Sequence, residues 1–228
     1  MGYPRKTGSR YTAENRDENP HHKNFNFPPG SVELPLLFFY RSNPDYAYYW
    51  VIEYDVRFSG SWRDFFSAFA PSDADLLGTT LTRKADIPDW YHWDGLAPNV
   101  DGLGPKSHIR GFFPVYRLSR RALDWLDRAY RNGAGGHQEC IIPTLLHHAG
   151  MVLEDIGGRG EFVRAGNEDR FYRNTPKADD LSPGTFAFRP VMHKPGNEPN
   201  KLWHPVKNRQ LLQRALRRLT RPFQASGQ

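Results

Sequence analysis

The ten residues Tyr46 to Asp55, YAYYWVIEYD, constrain this chain more than any other stretch. Aromatic and β-branched side chains in unbroken succession fit a strand covered on both faces, and the run ends on two acids that no buried strand would carry in its middle. It reads as a buried central strand. A chain of 228 residues can cover such a strand, because a domain of that size hides about 70% of the surface its unfolded chain exposes. With 14% aromatic residues the composition excludes a disordered polar chain.

Turn and cap signals divide the rest. Residues 1–30 are rich in Asn, Arg, His and Pro without a helical or strand period, and read as an irregular or disordered lead-in. Val32 to Tyr40 reads as a short helix closed by Ser42-Asn43-Pro44-Asp45. Ser61 can cap a helix over Trp62 to Ala70, with Asp64 at its third helical position. Ala74 to Thr82 reads as a strand, residues 83–110 as a long loop, and Gly111 to Leu118 as another strand. Ser119 then caps a helix that buries Ala122, Leu123, Leu126 and Tyr130 and stops at Gly133. A second helix starts at Gly135 to Glu139, is kinked or restarted at Pro143, and ends at Gly150. Met151 to Ile156 and Thr185 to Arg189 complete the strands. Alternating strands and helices predict a single α/β domain over residues 31–205 with a mixed central sheet flanked by helices.

Charge narrows the function classes. Of the 31 Lys and Arg, seven lie beyond Pro199, where there is no Asp or Glu, so residues 1–198 carry 24 basic residues against 25 acidic ones. The body has no basic excess for a nucleic-acid backbone, and a nucleic-acid partner is not expected. Residues 206–228 read as a basic amphipathic helix and tail. Its leucines can pack on the domain while the arginine rim contacts solvent or, peripherally, anionic lipid. No stretch is apolar for the ~20 residues that cross a bilayer. The lone Cys140 excludes an internal disulfide and a Cys-based zinc cluster, fits a reducing, cytoplasmic compartment, and reads as a buried small hydrophobe. His21-His22 and His147-His148 read as surface pairs.

Glu53 and Asp55 are the first candidate chemistry. Alternation puts both carboxylates on one side at the strand's carboxyl end, where α/β sheets bind ligands, so they can share a hard divalent ion such as Mg²⁺ or Mn²⁺. Equally, Glu53 can pair with a buried Arg while Asp55 caps a turn. Trp90, Tyr91, Trp93 and Asp94, in the long loop, combine flat faces for sugar rings with a carboxylate for hydroxyls; they are also plain packing material. Gly157-Gly158-Arg159-Gly160 matches no phosphate-binding fingerprint and reads as a turn, although Arg159 and the backbone N–H groups could meet a phosphate.

The segment Trp50-Val51-Ile52-Glu53-Tyr54-Asp55-Val56-Arg57, followed by Gly60, resembles the strand and acidic motif of GT-A-type nucleotide-sugar glycosyltransferases. It is closer still to a glycosyltransferase-like set with a W-x-I-E-Y-D-V-R-x-x-G signature. Pro114 to Ser119 with its helix, then Gly136-His137-Gln138-Glu139, is similar to that family's acceptor-side segment. Asn200-Lys201-Leu202-Trp203-His204-Pro205-Val206-Lys207 resembles its C-terminal metal-binding histidine. These motifs span residues 46–207. The resemblance implies a GT-A-like domain whose nucleotide-binding front is short, since the family's acidic motif is D-x-D and follows a longer β-α-β portion. It implies Glu53, Asp55 and His204 as ligands of Mn²⁺ or Mg²⁺, Arg159 and Lys207 as cations for the donor, Glu139 as catalytic base assisted by His137, and Trp90, Tyr91, Trp93 and Asp94 as the acceptor subsite. The reaction implied is sugar transfer from a nucleotide-sugar donor to a glycan or lipid-linked acceptor. The alternative is a catalytically inactive carbohydrate-binding or interaction module on the same fold.

Overall fold

The computed structural model describes residues 33–96 and 108–207. Among them the chain forms α1 (Glu33–Ser42), β1 (Tyr48–Ile52), β2 (Arg57–Phe58), α2 (Trp62–Ala68), β3 (Leu76–Gly78), β4 (Thr82–Arg83), β5 (Ile109–Arg110), β6 (Val115–Ser119), α3 (Arg120–Arg131), α4 (Gln138–His148), β7 (Leu153–Asp155) and β8 (Leu202–Trp203). The main sheet has the order β1-β6-β3-β7. Its β1–β6 and β6–β3 pairs are antiparallel and its β3–β7 pair is parallel, which makes it a mixed sheet in an α/β domain. β2 pairs with β8 and β4 with β5, each antiparallel. No helix among the described residues is long and apolar enough to cross a membrane.

The period-two geometry of strands explains why the sheet is covered on both faces. Tyr49, Leu76 and Tyr116 pack with α1, α3 and α4, whereas their neighbours Trp50, Leu77 and Val115 pack with Phe65 and Phe69 near α2 and with Phe171, Tyr172 and Phe186. β1 is not the buried central strand expected: it is an edge strand in which Tyr49 is buried, Trp50 and Val51 are half-buried, and Tyr48 and Ile52 are exposed. Its open edge ends at Ile52, before the acids.

Local signals place the helices. Ser61 caps α2 by accepting from Asp64 N, and Ser119 caps α3 by accepting from Ala122 N. α3 buries Ala122, Leu123, Leu126 and Tyr130, and Gly133 follows it at φ +87°. α4 runs without a break through Pro143, contrary to the expected restart. Proline leaves the carbonyl four residues earlier without its helical donor, and that carbonyl, of Glu139, instead accepts from Gly111 N at 2.6 Å. Thr144 Oγ1 extends the seam by accepting from Ile109 N and donating to Ile109 O, both at 3.0 Å. An outside donor thus satisfies the carbonyl that proline leaves without a helical partner.

Other expectations shift. The strand expected over residues 74–82 splits into β3 and β4, and that over residues 111–118 begins only at Val115. Residues 185–189 form no strand beyond an isolated bridge from Phe186 to His204. The long loop contains two 3₁₀ turns, Lys84–Asp86 and Tyr91–Gly95. The helix expected over residues 206–228 does not begin at Val206, which bridges Met192 and donates its N–H to Asp55 O at 2.8 Å. The rest of that helix, like the lead-in, lies outside the described residues.

Asp155, fully buried after β7, organises the connection to the carboxyl-terminal third. Its carboxylate accepts from Leu81 N, Gly157 N and Gly158 N and from the Tyr172 hydroxyl, at 2.7 to 3.0 Å. A Cβ on Gly158 would stand 2.2 Å from the Tyr172 oxygen, so only glycine lets the loop close there. Asp155→Ala would leave four buried donors without their acceptor and should lower stability by on the order of 3 kcal/mol or more, read by urea denaturation.

Candidate functional site

β1 delivers the acids, but a turn and not strand alternation makes them converge. Glu53 N donates to Pro114 O at 2.8 Å, and Val56 N returns to Glu53 O at 3.1 Å. The turn brings the carboxylates to His204, whose Nε2 lies 3.5 Å from Glu53 Oε2 and 3.6 Å from Asp55 Oδ1. His204 is fixed from behind: its Nδ1 is 2.7 Å from Ala187 O. A carbonyl can only accept, so Nδ1 carries a proton and donates it to Ala187 O, which fixes the ring with Nε2 turned toward the carboxylates, as a carbonyl partner does for histidines that ligate metals.

One ligand atom from each of Glu53, Asp55 and His204 lies within 4.8 Å of the other two, and these residues could hold a metal ion. Two features fit that use. Asp55 is 3% exposed, and its Oδ1 has no hydrogen-bond donor. Two carboxylate oxygens with one imidazole nitrogen form a mixed O,O,N donor set for a divalent cation. Lys207 Nζ lies 3.6 Å from Asp55 Oδ2.

The centre opens into a cavity of about 450 Å³. An adjoining wall is built by the segment 110–114 and the start of α4. Along the chain there the N–H groups of Ile109, Gly111 and Phe113 all bond to α4, and Arg110, Gly111, Phe112 and Pro114 line the cavity. Glu139 is held twice: its carbonyl by Gly111 N, and its Oε1 by Phe113 N at 3.1 Å. Burial pushes its carboxyl up to about 7, helped by Glu53 and opposed by the Phe113 hydrogen bond and by Arg110.

His137 caps α4 through Nδ1, which accepts from Glu139 N at 3.3 Å, and its ring stacks on His92 with centroids 3.7 Å apart. Burial, with a smaller contribution from His92, lowers His137 to about 3, and burial alone lowers His92 to about 4. Both rings are neutral at neutral pH. His137 therefore positions Glu139, and its Nδ1 lone pair is already in use.

The cavity brings together Glu53, Asp55, His204, Lys207, Glu139, His137, Trp90 and Tyr91. Three candidates stand outside its lining. Trp93 is buried, with Nε1 bonded to Ile87 O at 2.9 Å, and Asp94 faces solvent. Arg159 pairs with Asp169 at 2.5 Å on the surface, and its loop's Gly157 and Gly158 N–H groups are committed to Asp155, which removes them from any phosphate cradle. Cys140 is buried, and burial raises its thiol well above the ordinary value. Arg110 and Asp179 escaped the sequence reading. For Arg110 the signal was present in the alternation Arg110, Phe112, Pro114 ahead of β6. For Asp179, in irregular chain, there was none.

No protein-family model, curated protein or solved structure matches the chain. Titrated with Mn²⁺ and followed by electron paramagnetic resonance, the protein should show one saturable site, lost in Asp55→Ala and at least tenfold weaker in His204→Ala.

Proposed function

We propose that the chain is a metal-assisted glycosyltransferase of GT-A-like architecture, moving a sugar from a nucleotide-sugar donor to a glycan or lipid-linked acceptor in a reducing compartment. The observation that carries this reading is the placing of an oriented Asp/Glu/His triad and a carboxyl poised near neutrality in one cavity. That pairing suits a reaction in which a diphosphate leaves while a hydroxyl attacks.

Glu53, Asp55 and His204 would hold Mn²⁺ or Mg²⁺, and the bound ion would supply neutralisation of the leaving diphosphate. Lys207 adds a flexible cation beside Asp55 for the same phosphates. Glu139 takes the proton of the attacking hydroxyl at its carboxylate, held in place by Gly111 and Phe113. A general base works best with a pKa near the working pH, and burial sets that value here. The His137 cap fixes the first turn of α4 and with it the carboxylate's position. Trp90 and Tyr91 offer flat faces for the sugar ring. Direct attack assisted by one base implies inversion at the anomeric carbon.

Melting curves with UDP, GDP, CMP and dTDP species, each with and without Mn²⁺, test the donor site. One nucleotide class should raise the melting temperature by several degrees when saturating, only with metal, and not in Asp55→Ala. No rise with any of them would favour the inactive binding module. Glu139→Gln should keep the nucleotide shift while turnover falls at least about 100-fold.

Glu139 also predicts two pH dependences. As a base it works ionised, so turnover should rise with pH through about 7. For stability, its folded pKa lies above the ordinary 4.5, so the folded state holds the proton more tightly. Its contribution is present below pH 4.5 and is lost as pH rises through about 7. The metal-free protein should therefore lose stability across that window in urea titrations, and Glu139→Gln should flatten the slope.

A further inference from the structure

Arg110 lines the cavity without belonging to the metal centre or to the contacts that hold Glu139. It is 3% exposed, and among the described residues its one hydrogen bond runs from Nη2 to Pro176 O at 2.5 Å, while its buried Nε has no partner. The guanidinium carbon sits 5.2 Å from the centre of the Trp90 ring, a contact that offsets part of the cost of burying the charge. Burial pulls its pKa down to about 10, so it is still a cation at neutral pH, and Glu139 and Asp179 are the acids whose charges favour that form. A buried guanidinium with donors to spare is costly unless a ligand supplies the acceptors.

Its neighbours give its place relative to the reaction. Gly111, the next residue, donates its N–H to the Glu139 carbonyl, and Arg110 itself stands over Trp90, whose ring meets His137 edge-on with centroids 6.2 Å apart. Arg110 thus keeps company with Glu139 and the Trp90 face. A donor diphosphate gathered at Glu53, Asp55, His204 and Lys207 leaves that part of the cavity to the acceptor.

We propose that Arg110 receives an anionic group of the acceptor, a carboxylate or a phosphate, so that the acceptor is an acidic or phosphorylated sugar. The planar fork of a guanidinium pairs with either group through two parallel hydrogen bonds, and the Trp90 face beside it suits the attached ring. Naming this group an acceptor's rests on the transferase reading; the anion subsite itself does not.

Calorimetric titration of the metal-free, nucleotide-free protein with glucuronate, glucose 6-phosphate and glucose tests the proposal. At least one of the two anions should bind tenfold or more tighter than glucose, and the stronger one names the group. The preference should vanish in Arg110→Gln and persist in Asp55→Ala. Equal binding of all three sugars, no binding of either anion, or a preference unchanged in Arg110→Gln would overturn it. If Arg110→Gln does not fold, Arg110→Lys serves: it keeps the charge but loses the fork, and an undiminished preference there would count against the assignment equally. A preference for the anion without any nucleotide-induced melting shift would overturn the transferase reading alone, and the reverse pattern would overturn the subsite alone.

Discussion

The missing N–H of Pro143 is the constraint on which the site's geometry depends. Inside a helix it would ordinarily leave one carbonyl idle and invite a bend. Here the idle carbonyl belongs to Glu139, and Gly111 N takes it up, so the defect becomes the bond that joins α4 to the segment before β6. Thr144 and the Glu139 carboxylate repeat the junction at Ile109 and Phe113, two residues to either side. The three bonds fall on alternate residues, and Arg110 and Phe112 between them face the cavity together with Gly111. A helix flaw and a run of alternate bonds together set the wall on which Glu139 and a buried arginine stand.

The electrostatics of that wall are mutually dependent. Glu139 is raised by burial and by Glu53 and lowered by Arg110, and Arg110 keeps its charge partly through Glu139 and Asp179. Neutral His137 and His92, stacked beside the helix start, add no cation that would pull Glu139 down. Charge of both signs is thus held on buried side chains of one wall, where fields are stronger than in water.

Much of this is legible in the sequence wherever a local rule governs. Ser119 with its apolar helix face, Ser61, and the aromatic strand before Glu53 are each decided by neighbours within a few residues. The convergence of Glu53, Asp55 and His204 was readable only through motif resemblance, because a turn closed by Pro114 and an orientation set by Ala187 bring it about. The same applies to the misplacements. β1 is an edge strand because β6 pairs on one side only, which no property of YYWVI specifies. Pro143 looked like a breaker because its replacement partner lies in a different segment. Arg159 looked available because nothing nearby in sequence shows that Asp155 claims the glycine N–H groups.

The docking of Val206 onto the carbonyl of Asp55 ties a late segment of the chain to an early one at the point where the ligands meet. Between Asp55 and His204 in sequence stand most of the sheet, three helices and the irregular chain. The cluster is thus among the least local features of the fold, and chains rich in such distant pairings pay their loop-closure entropy before any contact rewards it. An ion held by all three side chains would consequently double as a gauge of complete folding: a partly assembled chain can carry the strand and both carboxylates and still lack the third ligand.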